Sequence, residues 1–87
     1  MKIKNGFVLR EIAGQSVVVA LGEASRSFNG IIKLNETGRV IWNILSEGAE
    51  AEDIVEKILA EYEIDRATVE KDVNTFISTL KENNILE

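Results

Sequence analysis

The change in hydrophobic pattern at residues 34–42, LNETGRVIW, limits the possible folds of this chain more than any other feature. Before it, apolar and β-branched residues form short runs separated by glycine-containing turns. After it, apolar residues recur three and four positions apart, which is the spacing of amphipathic helices. The chain has 87 residues, enough for one compact core. We therefore predict a single α+β domain, residues 1–87, in which a three-stranded antiparallel sheet is followed by three helices.

The strand-like third of the chain predicts a hairpin followed by a third strand. Residues 7–12 and 17–21 are rich in valine, leucine and isoleucine, and the turn between them contains Gly14, which tolerates a positive φ. After a polar loop at residues 22–27, residues 28–34 form the third predicted strand. A period of two puts Ile32 and Leu34 on one face of it and Lys33 on the other. The apolar face needs a cover, which only the helices can supply.

The rest of the chain predicts three helices with clear boundaries. Asn35 is a good N-cap for the first helix, which should end near Gly48. The second helix is predicted over residues 51–62, and the third runs from behind Asp65 to about residue 83. All three carry an apolar stripe, and Trp42 is expected in the core.

Net charge argues against nucleic acid and membrane partners. The chain has a net charge of −5, and the excess acid lies in residues 49–87, which carry four basic and eleven acidic residues. Such a chain has no general attraction for phosphate backbones. It contains no apolar run long enough to cross a membrane, and it does not open with the apolar segment of a secretion signal. Together with the absence of cysteine, this favours a cytoplasmic location.

The residues needed for most catalysis are missing. The chain has neither histidine nor cysteine, the usual ligands of zinc and iron–sulfur centres, so no metal or cofactor is predicted. Its serines have no base to activate them, and its glycines do not form a phosphate-binding loop. The acidic residues Glu50, Glu52 and Asp53 lie at a predicted helix start, where they suit the helix dipole. We therefore expect a protein that binds rather than an enzyme.

Three kinds of surface use remain open from the residues alone. The third strand is a candidate sheet edge to which an extended peptide could add, although Gly30 and Lys33 could equally serve to protect that edge from aggregation. A winged-helix DNA-binding protein is the second possibility, but the charges of the third helix cancel and form no basic stripe. The third is a purely structural, self-associating subunit. The exposed strand edge leaves open a monomer or a dimer formed edge to edge or by strand swapping.

Several fragments of the chain, in this order and spacing, resemble the PqqD-like family. These proteins are also known as recognition elements for ribosomally made, post-translationally modified peptides. The resemblance rests on residues 6–10 in the first strand, residues 34–38 with Ile41 and Trp42 entering the first helix, Asp72, Val73, Phe76, Ile77 and Leu80 in the last helix, and the closing residues 84–87.

The resemblance implies a winged helix-turn-helix-like fold and a function in peptide presentation. Family members bind the leader segment of a precursor peptide as an added strand on the third strand, against the third helix, and act with a separate modifying enzyme, usually a radical S-adenosylmethionine enzyme. Many act in pyrroloquinoline quinone synthesis, and other maturases, including peptidases, also occur as partners. Carried over to this chain, the implied peptide-binding residues are Phe28, Asn29, Gly30, Ile31, Ile32, Lys33, Leu34, Val69, Asp72, Val73, Phe76 and Thr79.

Overall fold

The computed structural model describes residues 1–28 and 30–87 and confirms the predicted order of strands and helices. Three strands form an antiparallel sheet in the order β1-β2-β3. The elements are β1 (Phe7–Ile12), β2 (Gln15–Ala20), α1 (Ala24–Ser27), β3 (Ile32–Leu34), α2 (Glu36–Ser46), α3 (Ala51–Glu61) and α4 (Arg66–Glu82). The three predicted helices correspond to α2, α3 and α4.

Three local predictions differ from the structure. β2 begins at Gln15, two residues before the predicted strand, because the turn consists only of residues 13 and 14. The polar loop contains the short helix α1, where the Ser25 hydroxyl and backbone N–H both donate to the Gly22 carbonyl. The third strand is shorter than predicted and begins at Ile32. Gly30 has a φ of 118°, which is incompatible with a regular strand, and Phe28 instead packs edge-on against Phe7 with ring centroids 5.6 Å apart.

The hairpin closes through a two-residue turn that contains a strained alanine. Ile12 is paired with Gln15, and the residues between them, Ala13 and Gly14, have φ values of 51° and 79°. Positive φ at both central positions is the geometry of a type I′ turn, which favours asparagine followed by glycine. Glycine adopts this geometry without strain, whereas alanine does not.

Replacing Ala13 with asparagine is therefore expected to stabilise the protein by about 1 kcal/mol. Urea denaturation followed by circular dichroism would measure this gain. The matched control is Ala60→Asn on the exposed face of α3, where asparagine should be slightly destabilising. An Ala13→Asn protein no more stable than the wild type would show that the turn is not strained.

The helices cover one face of the sheet and enclose the core. Val18 of β2 meets Ile41, Trp42 and Leu45 of α2 in this core, to which α3 and α4 add their apolar stripes. The two ends of the chain close the same core: Ile3 bridges to Leu86, and the Lys4 N–H donates to the Ile85 carbonyl at 2.8 Å. The sheet therefore has one face packed on helices and a second face turned away from them.

Asp65 caps α4 and makes the stability of this helix dependent on pH. Its carboxylate accepts from the Thr68 hydroxyl at 2.8 Å and from the Thr68 N–H at 3.0 Å. These bonds hold the pKa of Asp65 below its ordinary value of 3.8, and the bond from the Thr68 hydroxyl contributes most. A carboxylate whose pKa is lowered by folding stabilises the protein above the unfolded pKa, and this contribution is lost as the pH falls through the folded pKa.

Asp65→Asn keeps a capping group but removes the titration. We expect the stability advantage of the wild type over Asp65→Asn to shrink as the pH falls from 6 towards and below about 3.8. Urea denaturation of both proteins across this range would measure the difference. A difference that stays constant with pH would contradict a role for the ionised cap.

No helix in residues 1–28 and 30–87 is long and apolar enough to cross a membrane.

Candidate functional site

The outer edge of β3 is open in the structure. β3 pairs with β2 through three residue pairs, Ser16 with Leu34, Val17 with Lys33 and Val18 with Ile32. Within the described part of the chain, no further strand lies on its other side. An edge of this kind presents backbone N–H and C=O groups that another extended segment can bond.

The hairpin register identifies which backbone groups of β3 face outward. A two-residue turn makes its flanking residues, Ile12 and Gln15, a hydrogen-bonded pair. The Leu21 N–H donates to the Gly6 carbonyl at 2.6 Å, which follows the same alternation. Val17 therefore bonds β1, while its two neighbours bond β3.

It follows that Ile32 and Leu34 use their backbone groups in the ladder with β2. Lys33, opposite Val17, directs its N–H and C=O away from the sheet. Its side chain is exposed, on the face away from the helices. A peptide that adds to β3 would thus make its central backbone bonds with Lys33.

A groove of about 400 Å³ runs along this edge between β3, the start of α2 and α4. Its apolar surface comes from Ile32, Leu34, Ile41 and Phe76, and threonines lie along its sides. The complete lining is Ile32, Lys33, Leu34, Asn35, Thr37, Gly38, Ile41, Lys71, Asp72, Thr75, Phe76 and Thr79. Such a groove can hold alternate side chains of a strand whose backbone pairs with β3.

Gly38 lets the start of α2 approach the other walls of the groove. A Cβ on this residue would lie 3.3 Å from the Phe76 ring and 3.5 Å from the Leu34 Cβ. The Asn35 side chain accepts from the Gly38 N–H at 2.8 Å and so caps the helix beside the same wall. Asn35 and Gly38 therefore shape the groove as well as the helix start.

The groove is polar at its rim and continues towards the hairpin turn. Lys71 supplies positive charge and Asp72 negative charge to the lining, whereas Lys33 borders the groove with its backbone. A second recess of about 650 Å³ shares Lys33, Leu34 and Asn35 with the groove and ends at the hairpin. Glu11, Glu36 and Arg39 are its other charged residues, so an extended ligand would pass from an apolar to a more polar surface.

The structure distributes the sequence-predicted site residues among the groove, its approach and the core. Six line the groove: Ile32, Lys33, Leu34, Asp72, Phe76 and Thr79. Gly30 and Ile31 are exposed and precede β3, and Phe28 is half-buried against Phe7. Val69 and Val73 are buried in the core and do not line the groove, because they lie on the stripe of α4 that packs inward. Asn29 lies outside the described residues.

The groove also contains residues that were not among the predicted contacts. Asn35, Thr37, Gly38 and Ile41 come from α2 and its N-cap, and Lys71 and Thr75 come from α4. The sequence predicted only a capping role for Asn35, which this residue also performs. Helical spacing offered a signal for Lys71 and Thr75, because residues 71, 72, 75, 76 and 79 share one face of a helix.

The charges of α4 do not form a DNA-reading surface. Arg66, at its first turn, binds Glu56 at 2.7 Å and lies within 3.5 Å of Glu52 and Glu70. The hydrogen bond and charge of Glu56 raise the pKa of Arg66 above its ordinary value. This arginine therefore joins α3 to α4, which leaves the surface of α4 without a basic stripe.

Comparisons with known proteins give one family and two similar structures. The family model of coenzyme PQQ synthesis protein D (PqqD) matches residues 15–86. The structure of TbiB1 in complex with the TbiA(beta) leader peptide is 36% identical, with a TM-score of 0.77, over 100% of this chain and 95% of that chain. Lasso peptide synthetase B1, complexed with the leader peptide, is 22% identical, with a TM-score of 0.75, over 99% of this chain and 95% of that chain. Curated proteins give no significant match.

Proposed function

This chain belongs to the PqqD family, and we propose that it binds the leader segment of a ribosomally made precursor peptide by strand addition to β3. The observation that carries the proposal is the coincidence of an unpaired strand edge with a groove along it. The edge supplies backbone hydrogen bonds that any sequence can make, while the groove selects side chains. The similar structure of TbiB1 contains a leader peptide, which supports the same use of this fold here.

The role we propose is presentation of the peptide to a separate modifying enzyme. Holding the leader raises the effective concentration of the rest of the precursor at that enzyme. The domain, residues 1–87, performs no chemistry itself in this account and needs no cofactor. We expect the partner to be a radical S-adenosylmethionine enzyme, the usual partner that family resemblance implies, and we place the process in the cytoplasm.

Titration calorimetry would test this function with leader segments of precursor peptides encoded near the gene, and with the TbiA(beta) leader as a heterologous probe. One native segment should bind with a dissociation constant on the order of micromolar or below. A micromolar constant corresponds to a binding free energy of about −8 kcal/mol. A scrambled peptide of the same composition is the control. Failure of every segment to bind a folded monomer would contradict the proposal.

A groove variant should weaken this binding without unfolding the protein. Thr75 is exposed and lines the groove, so Thr75→Arg would place a long side chain across it. We expect affinity to fall by about tenfold or more, equivalent to about 1.4 kcal/mol. The matched control is Asn74→Arg, an equal change on an exposed neighbour outside the groove lining. Equal affinities for the two variants would place the peptide elsewhere.

A further inference from the structure

The face of the sheet turned away from the helices combines apolar and basic side chains. Alternation along the paired strands assigns to it Val8, Arg10, Ile12, Gln15, Val17, Val19 and Lys33. The same alternation, extended by one residue beyond β2 and β3, adds Leu21, whose N–H donates to the Gly6 carbonyl, and Ile31. We name these nine residues the outer sheet face. Six are apolar, two are basic and none is acidic, in a chain whose net charge is −5.

The outer sheet face contains large apolar side chains that are exposed to solvent. Ile12, Leu21 and Ile31 of this face are 53%, 46% and 52% exposed. In the described part of the chain, the other exposed large apolar residues are Tyr62 and Ile64, on the helical side. Val8 and Val19 form a cross-strand pair between them. Several large exposed apolar side chains on one face, with polar residues beside them, are typical of a protein-binding site rather than of a solvated face.

The two cations of this face determine what kind of partner fits. Arg10, Val17 and Lys33 form one row across the three strands, with a cation on either side of a buried valine. Neither cation has an ion-pair partner among the residues that the structure describes. Two copies packed face to face would bring four cations together, so charge disfavours a symmetric dimer here. A surface that places carboxylates around an apolar centre is complementary.

The position of the outer sheet face beside the peptide-binding edge indicates which protein binds it. Lys33 belongs to the outer sheet face through its side chain and to the peptide edge through its backbone. A leader added to β3 would extend the sheet by one strand, and alternate side chains of that leader would continue the outer sheet face. A protein bound there would contact the domain and the loaded peptide together.

We infer that the outer sheet face docks the separate modifying enzyme, through an apolar surface on that enzyme bordered by carboxylates. This inference rests on the proposed function, because the enzyme is the partner that leader presentation requires. The helical surface formed by Val40, Ile58, Tyr62 and Ile64 is the competing site. Its one charged lining residue is Glu36, so it lacks the pair of cations that favours a carboxylate-bearing partner.

Site-specific photo-crosslinking in cells of the source organism tests the inference first. The photoreactive residue benzoylphenylalanine is placed at Ile12, or at Ala60 on the exposed face of α3 as the control. Mass spectrometry should identify a peptide-modifying enzyme captured from Ile12 and not from Ala60. Capture of a second copy of this chain, of lipid or nucleic acid, or of no partner at Ile12 would overturn the inference.

Affinity measurements with the purified, captured enzyme complete the test. Arg10→Glu should weaken its binding to the domain by about tenfold or more, and Lys57→Glu, the same charge reversal on α3, should not. Arg10 is not part of the groove lining, so Arg10→Glu should bind the leader as the wild type does. Unchanged enzyme affinity in Arg10→Glu would reject the docking face. Absence of leader binding by the wild-type protein would instead reject the proposed function. The failure of the docking inference and the failure of the proposed function are therefore distinguishable.

Discussion

Replacing Lys33 with proline is expected to weaken leader binding by about 10- to 100-fold while leaving the domain folded. The register directs the Lys33 N–H away from β2, so proline removes a donor that only the added strand would use. Proline is tolerated on edge strands at such positions. The peptide carbonyl that pairs with Lys33 would remain unsatisfied beside the groove. Titration calorimetry with a leader segment that binds the wild type would measure the change.

Two further substitutions separate the backbone of Lys33 from its side chain and from the ladder. Lys33→Ala retains the outward N–H and should keep most of the affinity that Lys33→Pro loses. Leu34→Pro removes a donor that faces Ser16 within the sheet and should instead destabilise the fold. Equal binding by Lys33→Pro and Lys33→Ala would show that the leader does not pair with β3.

Replacing Trp42 with alanine is expected to reduce the free energy of unfolding by about 3–5 kcal/mol. Trp42 is only 3% exposed and lies in the core shared by α2 and the other helices. A domain of this length has a total stability of roughly 4–13 kcal/mol, so the loss could leave much of the protein unfolded at room temperature. Denaturation followed by circular dichroism is the appropriate measurement, because the substitution removes the only tryptophan.

Asn43→Ala provides the control for this loss. It truncates the next residue of α2, which is exposed, and should change stability by no more than about 0.5 kcal/mol. A loss of less than about 1 kcal/mol in Trp42→Ala would mean that the indole is not an essential part of the core.

The main elements of the fold were predictable because their signals are local. The hairpin follows from two β-branched runs around Gly14, and both helix caps, Asn35 and Asp65, hold the bonds expected of them. The length of β3 was not predictable in this way. Residues 28–34 alternate as a strand should, but the positive φ of Gly30 and the packing of Phe28 on Phe7 are tertiary features.

The candidate site was only half visible in the sequence. Ile32, Lys33 and Leu34 were found because an edge strand can be identified from its place in the chain. The contribution of α2 was missed because Asn35 and Gly38 have sufficient structural explanations as cap and close contact. On α4, Val73 and Phe76 are both apolar, and only the packed structure shows that one is in the core and the other in the groove.

The open edge of β3 also bears on oligomeric state. A second copy that pairs along Lys33 would occupy the same backbone groups as a leader, so we expect self-association and leader binding to compete. Sedimentation measurements with and without peptide would then show a concentration-dependent dimer that dissociates as the peptide binds.

Amide hydrogen exchange measured by NMR, with and without a leader segment, tests strand addition most directly. The Lys33 amide should exchange rapidly in the free protein and become protected in the complex, while Ile32 and Leu34 are protected in both. Leu9, whose N–H faces outward at the opposite edge of the sheet, is the internal control and should remain unprotected. Protection that appears at Lys33 but not at Leu9 is the result that this account predicts. A bound leader that leaves Lys33 in rapid exchange would contradict it.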